Sequence, residues 1–340
     1  MTITTKQAVP FYRNHQIRDG IGQAIYDAMK VDASIVLVGE GAHVKQHYDA
    51  PKILKEFHDR IVTLPISEDG NTNYAVGMSL LGVKPVVDVI TADFLYRTMD
   101  SVCNTAAKLN FVLGADRDPS TIVIRSEFMV GGPSTGQRPE ALFAHVPGLR
   151  VVVPSTPRDA YGLMRTALTT PGVTLFFEDR MIADEEHPML EEDSHLGDPI
   201  PLGVASWRRK GLRGNVTILT YGVMRQVTEK LLAGFRFNGD FSGDHLLGAG
   251  LIDLRTIYPV DWSMILMLLE RTGKLLIIEP DVKYGGVGAE IAATIAEKLP
   301  GTLIRRLGAP RSTIPASMSL HHRMLPSETE ILDALTEMGQ

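Results

Sequence analysis

Residues 60–90, RIVTLPISEDGNTNYAVGMSLLGVKPVVDVI, decide the fold. The apolar run ending at Ile66 gives way to Ser67, Glu68, Asp69 and Gly70, where a short helix opens and runs to about Gly82, and a second apolar run begins at Lys84. Runs of Val, Ile and Leu are buried on both faces, and a helix between two of them is the pattern of parallel strands joined by a crossover. The pattern extends in both directions. Upstream, Ile17, Ile21, Ile25 and Met29 form one apolar stripe at four-residue spacing before the strand SIVLVGE (34–40). Downstream, Phe94, Met99, Val102, Ala106 and Leu109 mark a long helix before the strand STIVIRSE (120–127). LRVVVPST (149–156) leads into Thr156, Pro157 and Asp159, an N-cap, an N1 proline and an acid three residues after the cap, and VTLFFED (173–179) closes this unit. The class is α/β, doubly wound, with a mostly parallel sheet.

From Asp179 to Pro201 the chain turns acidic and irregular, with Asp184, Glu185, Glu186, Glu191, Glu192 and Asp193 around Pro188. An unpaired acidic run usually faces water, so the division falls here: a first domain over 1–180, an acidic linker over 181–201, and a smaller α/β domain over 202–340. In the latter, NVTILTYG (215–222), AGLIDLRT (249–256) and KLLIIEP (274–280) alternate with helices.

The 340 residues fit two domains of ordinary size, and 44% hydrophobic with 22% charged residues describes a globular protein. A net charge of −6 argues against nucleic acid as partner. The single cysteine, Cys103, excludes an intrachain disulfide and a multi-cysteine metal site, and fits a reducing cytoplasm. No apolar run approaches the ~20 residues of a membrane span.

FMVGGPSTGQRPE (128–140), between a strand and the helical ALFAH, reads as an exposed loop at a strand's carboxyl end, where ligand sites collect in such folds. GGVG (285–288) lacks the third glycine of a dinucleotide turn, since Ile291 stands there, and is a tight strand-to-helix turn. His43 and His47 have no HExxH glutamate between them; in their glycine-bearing loop they reach either an active-site mouth or the surface. Ser126 and Ser134 lie in no GxSxG. Asp69-Gly70-Asn71 imitates part of a GDG diphosphate–Mg2+ motif, but Glu68 replaces the leading glycine and no Asn-Asn pair follows, so no metal ligand set is assigned to this chain. Glu68 itself stands between a buried strand and a helix, where position alone assigns it to the helix dipole.

Residues 63–109, with PEALFAHVPGLRVVVPSTPRDAYGLMRTAL (139–168), IDLRTIYPVD (252–261) and GGVGAEIAATIAEKL (285–299), resemble in order the β subunits of 2-oxo acid dehydrogenase E1 components, of the pyruvate, branched-chain and acetoin types. The resemblance implies a transketolase-like pyrimidine-binding domain followed by a transketolase C-terminal domain. It implies thiamine diphosphate as cofactor, with Mg2+ and the diphosphate held by a separate α subunit in an α2β2-type heterotetramer with a β–β contact. By the same resemblance Glu68 matches the glutamate that bonds N1′ of the aminopyrimidine, and Phe94 the aromatic lying against that ring. A carboxyl sharing a proton with N1′ favours the imino tautomer that activates the thiazolium C2. Such a proton store calls for an apolar setting that raises its pKa, to which Ile66, Phe94 and the partner subunit would contribute.

The family's histidine, in a Tyr-His-Ser-Gln-like run before PEALFAH, is replaced by Thr135, with Gln137 following. Threonine does not titrate near neutrality. The GED after the family's second strand is Gly39-Glu40-Gly41 here, with His43 and His47 beyond it. Family membership implies decarboxylation of a 2-oxo acid and acyl transfer to a lipoyl-bearing E2 component. Loss of the histidine leaves open an acyloin-forming transfer to an aldehyde or ketone, and a non-catalytic assembly subunit is the reading of another class. Thr135, Gln137, His43 and His47 are the substrate-facing candidates.

Overall fold

The structure, a computed structural model, describes residues 16–40, 50–114, 119–132, 134–183, 197–209, 216–237 and 249–339. His43 and His47 lie outside them. The first sheet contains β1 (Ile35–Gly39), β2 (Ile61–Thr63), β3 (Lys84–Thr91), β4 (Thr121–Phe128), β5 (Leu149–Val152), β6 (Gly172–Asp179) and β10 (Thr256–Tyr258). Their order is β10-β5-β6-β4-β3-β1-β2, parallel except for β10. The second sheet has the order β12-β11-β8-β9-β7, from Leu303–Ala309, Lys274–Val282, Thr217–Thr220, Gly250–Asp253 and Ser206–Arg209, with only β7 antiparallel. The architecture is therefore mostly parallel α/β in two sheets. Residues beyond the acidic stretch cross back as β10 to close one edge of the first sheet.

The stripe Ile17, Ile21, Ile25 and Met29 is buried on the helix Ile17–Val31, which packs on the helix Pro157–Ala167 over one face of the first sheet. Pro157 sits at N1 of that second helix and the Thr156 hydroxyl accepts from Asp159 N, as the sequence predicts. On the other face lies the helix Glu68–Ser79, with Ala75 and Val76 in the core.

Two elements depart from the reading. β2 covers only Ile61–Thr63 of the apolar run: Leu64 N donates to Gly39 O, and Pro65 has no N–H with which to continue. The long helix after β3 is a run of short pieces, 3₁₀ over Ala92–Thr98, π over Asp100–Thr105, 3₁₀ over Ala106–Lys108 and α over Leu109–Leu113. Thr98 donates its hydroxyl to Leu95 O and Ser101 to Thr98 O, so buried hydroxyls compete with the regular ladder.

Among the described residues no helix is long and apolar enough to cross a membrane.

Candidate active site

Glu68 is the first residue of the helix Glu68–Ser79, at the carboxyl edge of the first sheet beside β2. Its side chain is 11% exposed and its Oε2 lies 3.5 Å from Nε of Arg97, whose own side chain is 75% exposed. Arg97 belongs to the Ala92–Thr98 turn that carries Phe94, and this turn packs on the Glu68 helix. Phe94 is half-buried against the core. Ile66, two residues before Glu68, is 79% exposed, and Tyr74 and Tyr96 on the same two elements are exposed as well. A carboxylate mostly removed from water thus stands at the edge of an aromatic and apolar surface. The pair is exposed only on the Arg97 side, and its 3.5 Å separation is long for a charge-assisted bond, so the guanidinium can swing into water and leave the carboxylate to a ligand.

Asp93 connects this corner to the loop bearing Thr135 and Gln137. Its Oδ2 accepts from Gly136 N at 3.0 Å and its Oδ1 from Gln137 N at 3.2 Å. Burial pushes the Asp93 pKa up, opposed by those two backbone bonds. Gln137 is exposed and Thr135 half-buried. The Thr135 hydroxyl folds back on its own loop, for a methyl placed on Gly132 would meet Oγ1 at 2.4 Å.

The C-terminal segment presses on this loop from the other side. A Cβ on Gly136 would come within 2.9 Å of Cε1 of His321, an imidazole 3% exposed whose Nδ1 is buried without a hydrogen-bond partner. Burial, then the charges of Arg138 and His322, holds His321 below the usual histidine range. Just behind the loop, Arg138 Nη2 donates to both carboxylate oxygens of Asp179 at 2.9 Å, and Tyr221 donates to Glu140 Oε1 at 3.0 Å. Burial, then the charge of Asp281, raises Glu140 to about 8; burial raises Asp281 to about 7.

The structure therefore places Glu68, Phe94 and Ile66 at one corner and joins Thr135 and Gln137 to it through Asp93. Sequence reading missed Asp93, Arg97 and His321. Asp93 adjoins Phe94, but its partners lie more than forty residues away, and no local pattern reports such a pairing. GGVG is a turn: Gly285 has φ +71°, and Gly288 N donates to Glu279 Oε2, so this chain's own carboxylate occupies the helix start.

Residues 13–184 match the transketolase pyrimidine-binding domain family and residues 205–331 the transketolase C-terminal domain family. The chain is 31% identical over 325 residues to the pyruvate dehydrogenase E1 component subunit beta of Bacillus subtilis, covering 92% of this chain and 95% of that one. It is 28% identical over 333 residues to the 2-oxoisovalerate dehydrogenase subunit beta 2 of Arabidopsis thaliana, covering 95% and 88%. A solved split-gene transketolase, an inactive beta4 tetramer, superposes with TM-score 0.77 at 18% identity over 96% of this chain and 98% of that one, a likeness of fold.

Proposed function

Because this chain belongs to the family of 2-oxo acid dehydrogenase E1 β subunits, we propose that it forms the pyrimidine-binding half of a thiamine-diphosphate enzyme. With an α-type subunit it decarboxylates a 2-oxo acid and passes the acyl unit to an acceptor. The observation that carries the proposal is the Glu68 carboxylate, nearly out of water yet at the edge of an exposed apolar corner formed by Ile66 and the Phe94 turn. The chemistry of these groups fits an aminopyrimidine: a carboxylate for a ring nitrogen and a flat apolar face for the ring.

The coenzyme, when bound, supplies the electron sink for carbon–carbon cleavage. Glu68 would hold a proton at N1′ of the bound ring and pass it to and from that atom. Phe94 orients the ring by stacking, worth ~0.5–1.5 kcal/mol beyond burial for an aromatic pair. Ile66 excludes water from the carboxylate and meets the α-type subunit, so the site is completed between chains. Asp93 keeps the Thr135 and Gln137 loop against this corner.

Thr135 supports a second reading of the acceptor. The loop offers no imidazole at that position and the hydroxyl turns onto Gly132, a setting that suits transfer to an aldehyde or ketone as well as to a lipoyl group.

The test reconstitutes the chain with its α-type partner, thiamine diphosphate and Mg2+, and follows CO2, lipoyl acylation and acyloin separately. Glu68→Gln should slow CO2 release by about 2 to 4 decades. Unchanged release would assign the chain to assembly alone, and no CO2 from any of several 2-oxo acids would defeat both acceptor readings.

A further inference from the structure

A cleft of about 610 Å³ opens at the carboxyl ends of β11 and β12 of the second sheet. Open α/β sheets bind ligands at this edge, and small-molecule sites typically measure ~300–1,000 Å³. Its charged lining is Lys283, Arg306, Arg311, Arg323 and Glu330. Lys283, Arg311 and Arg323 make no ion pair with the described residues, and all three are exposed. Arg311 lies over the ring of Tyr284, 5.6 Å from its centroid, which holds the guanidinium at the rim.

The other charges are already engaged. Arg306 donates to Glu279 Oε1 at 2.7 Å and to Lys283 O. Glu330 Oε2 accepts from the backbone N–H and the hydroxyl of Ser327, both at 2.8 Å, which holds Glu330 ionised at a helix start. Arg306 with Glu279 cancels, Glu330 offsets one of the three remaining cations, and a local excess of two positive charges is left on a chain whose net charge is −6. Gly308 lets the chain pack closely here, since a Cβ there would meet Glu279 Cγ at 3.0 Å and Lys283 Cβ at 3.1 Å. Pro310, Met324 and Leu325 supply an apolar wall, and the same three residues line the small cavity beside Gly136 and His321.

We propose that this cleft is a binding site for a small phosphate monoester, its dianion held by Arg311, Arg323 and Lys283 and its organic portion resting on Met324 and Leu325. Guanidinium forks match phosphate oxygens two at a time, and the two excess charges match a monoester above its second pKa of ~6. The lining includes none of Glu68, Ile66 and Phe94, so the site does not require the thiamine reading to be correct.

The test is calorimetric titration of the full chain with glycerol 2-phosphate, inorganic phosphate and glycerol. The ester should bind saturably and glycerol not at all. Arg311→Gln and Arg323→Gln should each weaken the ester about tenfold or more, the loss of one charge-assisted contact, with unfolding temperature unchanged. Lys298→Gln, an exposed cation at the far end of the helix Val287–Lys298, should leave the affinity as it was. Affinity should also fall as pH drops below ~6 and the ester loses its second charge. Tighter binding of the ester than of inorganic phosphate places the organic portion on the apolar wall, whereas equal affinities would overturn that placement. Equal weakening by Lys298→Gln, or no saturable binding at millimolar ester, would overturn the site itself.

Discussion

Gly136 has φ +107°, a region costly for any residue with a Cβ, and the space a Cβ would need is held by His321 Cε1 at 2.9 Å and Ile314 Cγ2 at 3.0 Å. Both constraints act on the residue between Thr135 and Gln137. Gly136→Ala should destabilise the chain by ~1–3 kcal/mol, read in denaturant unfolding, and displace the loop from Asp93. In the reconstituted enzyme the variant should lose acyl transfer more than CO2 release, because Glu68 and Phe94 lie on other elements. Equal loss of both would place the loop in the decarboxylation step. His321, on the opposite wall, puts an imidazole within 2.9 Å of where a Cβ of the neighbouring Gly136 would stand.

At the scale of elements, the Ala92–Thr98 turn does two tasks: Arg97 reaches Glu68, and Asp93 anchors the 134–138 loop through Gly136 and Gln137. Asp93→Asn retains an oxygen for one backbone N–H and loses the second acceptor and the charge. Amide exchange at Gly136 and Gln137 should accelerate about tenfold to a hundredfold, the loss of a charge-assisted bond, while amides in β3 stay protected. Unchanged exchange would show the loop held by His321 and Arg138 instead. The sheet strands were legible because a buried parallel strand writes itself as a continuous apolar run, as KPVVDVI does for β3. Thr156, Pro157 and Asp159 were legible because a cap depends on near neighbours. The broken helix over 92–113 was not: its apolar spacing suits an α-helix, and the hydroxyl bonds of Thr98 and Ser101 that interrupt it leave no periodic trace. β7 and β12 escaped for another reason. SWRR and LIRRLGA are each broken by two adjacent arginines, so neither shows the unbroken apolar run of an interior strand nor a clean alternation, and each strand lies at an edge of the second sheet. Of the candidate site, the place of Glu68 between strand and helix pointed only to the helix dipole, and its site role came from the family resemblance, whereas the partners Arg97 and His321 come together only through tertiary packing.

At the scale of the whole molecule, acidic groups are buried where the first sheet meets the second. Glu140, donated to by Tyr221, titrates near 8 and Asp281 near 7, against ordinary values of 4.5 and 3.8. Asp88 and Glu178, within the first sheet beside Arg125, are likewise raised to about 7, chiefly by burial. A raised carboxyl keeps its proton in the folded chain after the unfolded chain has released it. Between the two pKa values the folded state binds more protons, so the stability contribution is full below about pH 4 and is lost as pH rises through 7 and 8. Asp32, lowered to about 2 by its bonds to Lys84 and Ser34, works in the opposite direction but only in acid, below the range that matters here. The folded chain should therefore weaken from about pH 4 to about pH 8 and level off above it. Glu140→Gln retains an amide oxygen to accept from Tyr221 and removes one titrating proton. It should flatten the decline by up to ~1.4 kcal/mol per pH unit near neutrality, the value of one proton. Denaturant midpoints across that range, for the parent and the variant, measure it. Parallel curves would mean that Glu140 is ionised in the folded chain, with Arg138 answering its charge rather than that of Asp179 alone.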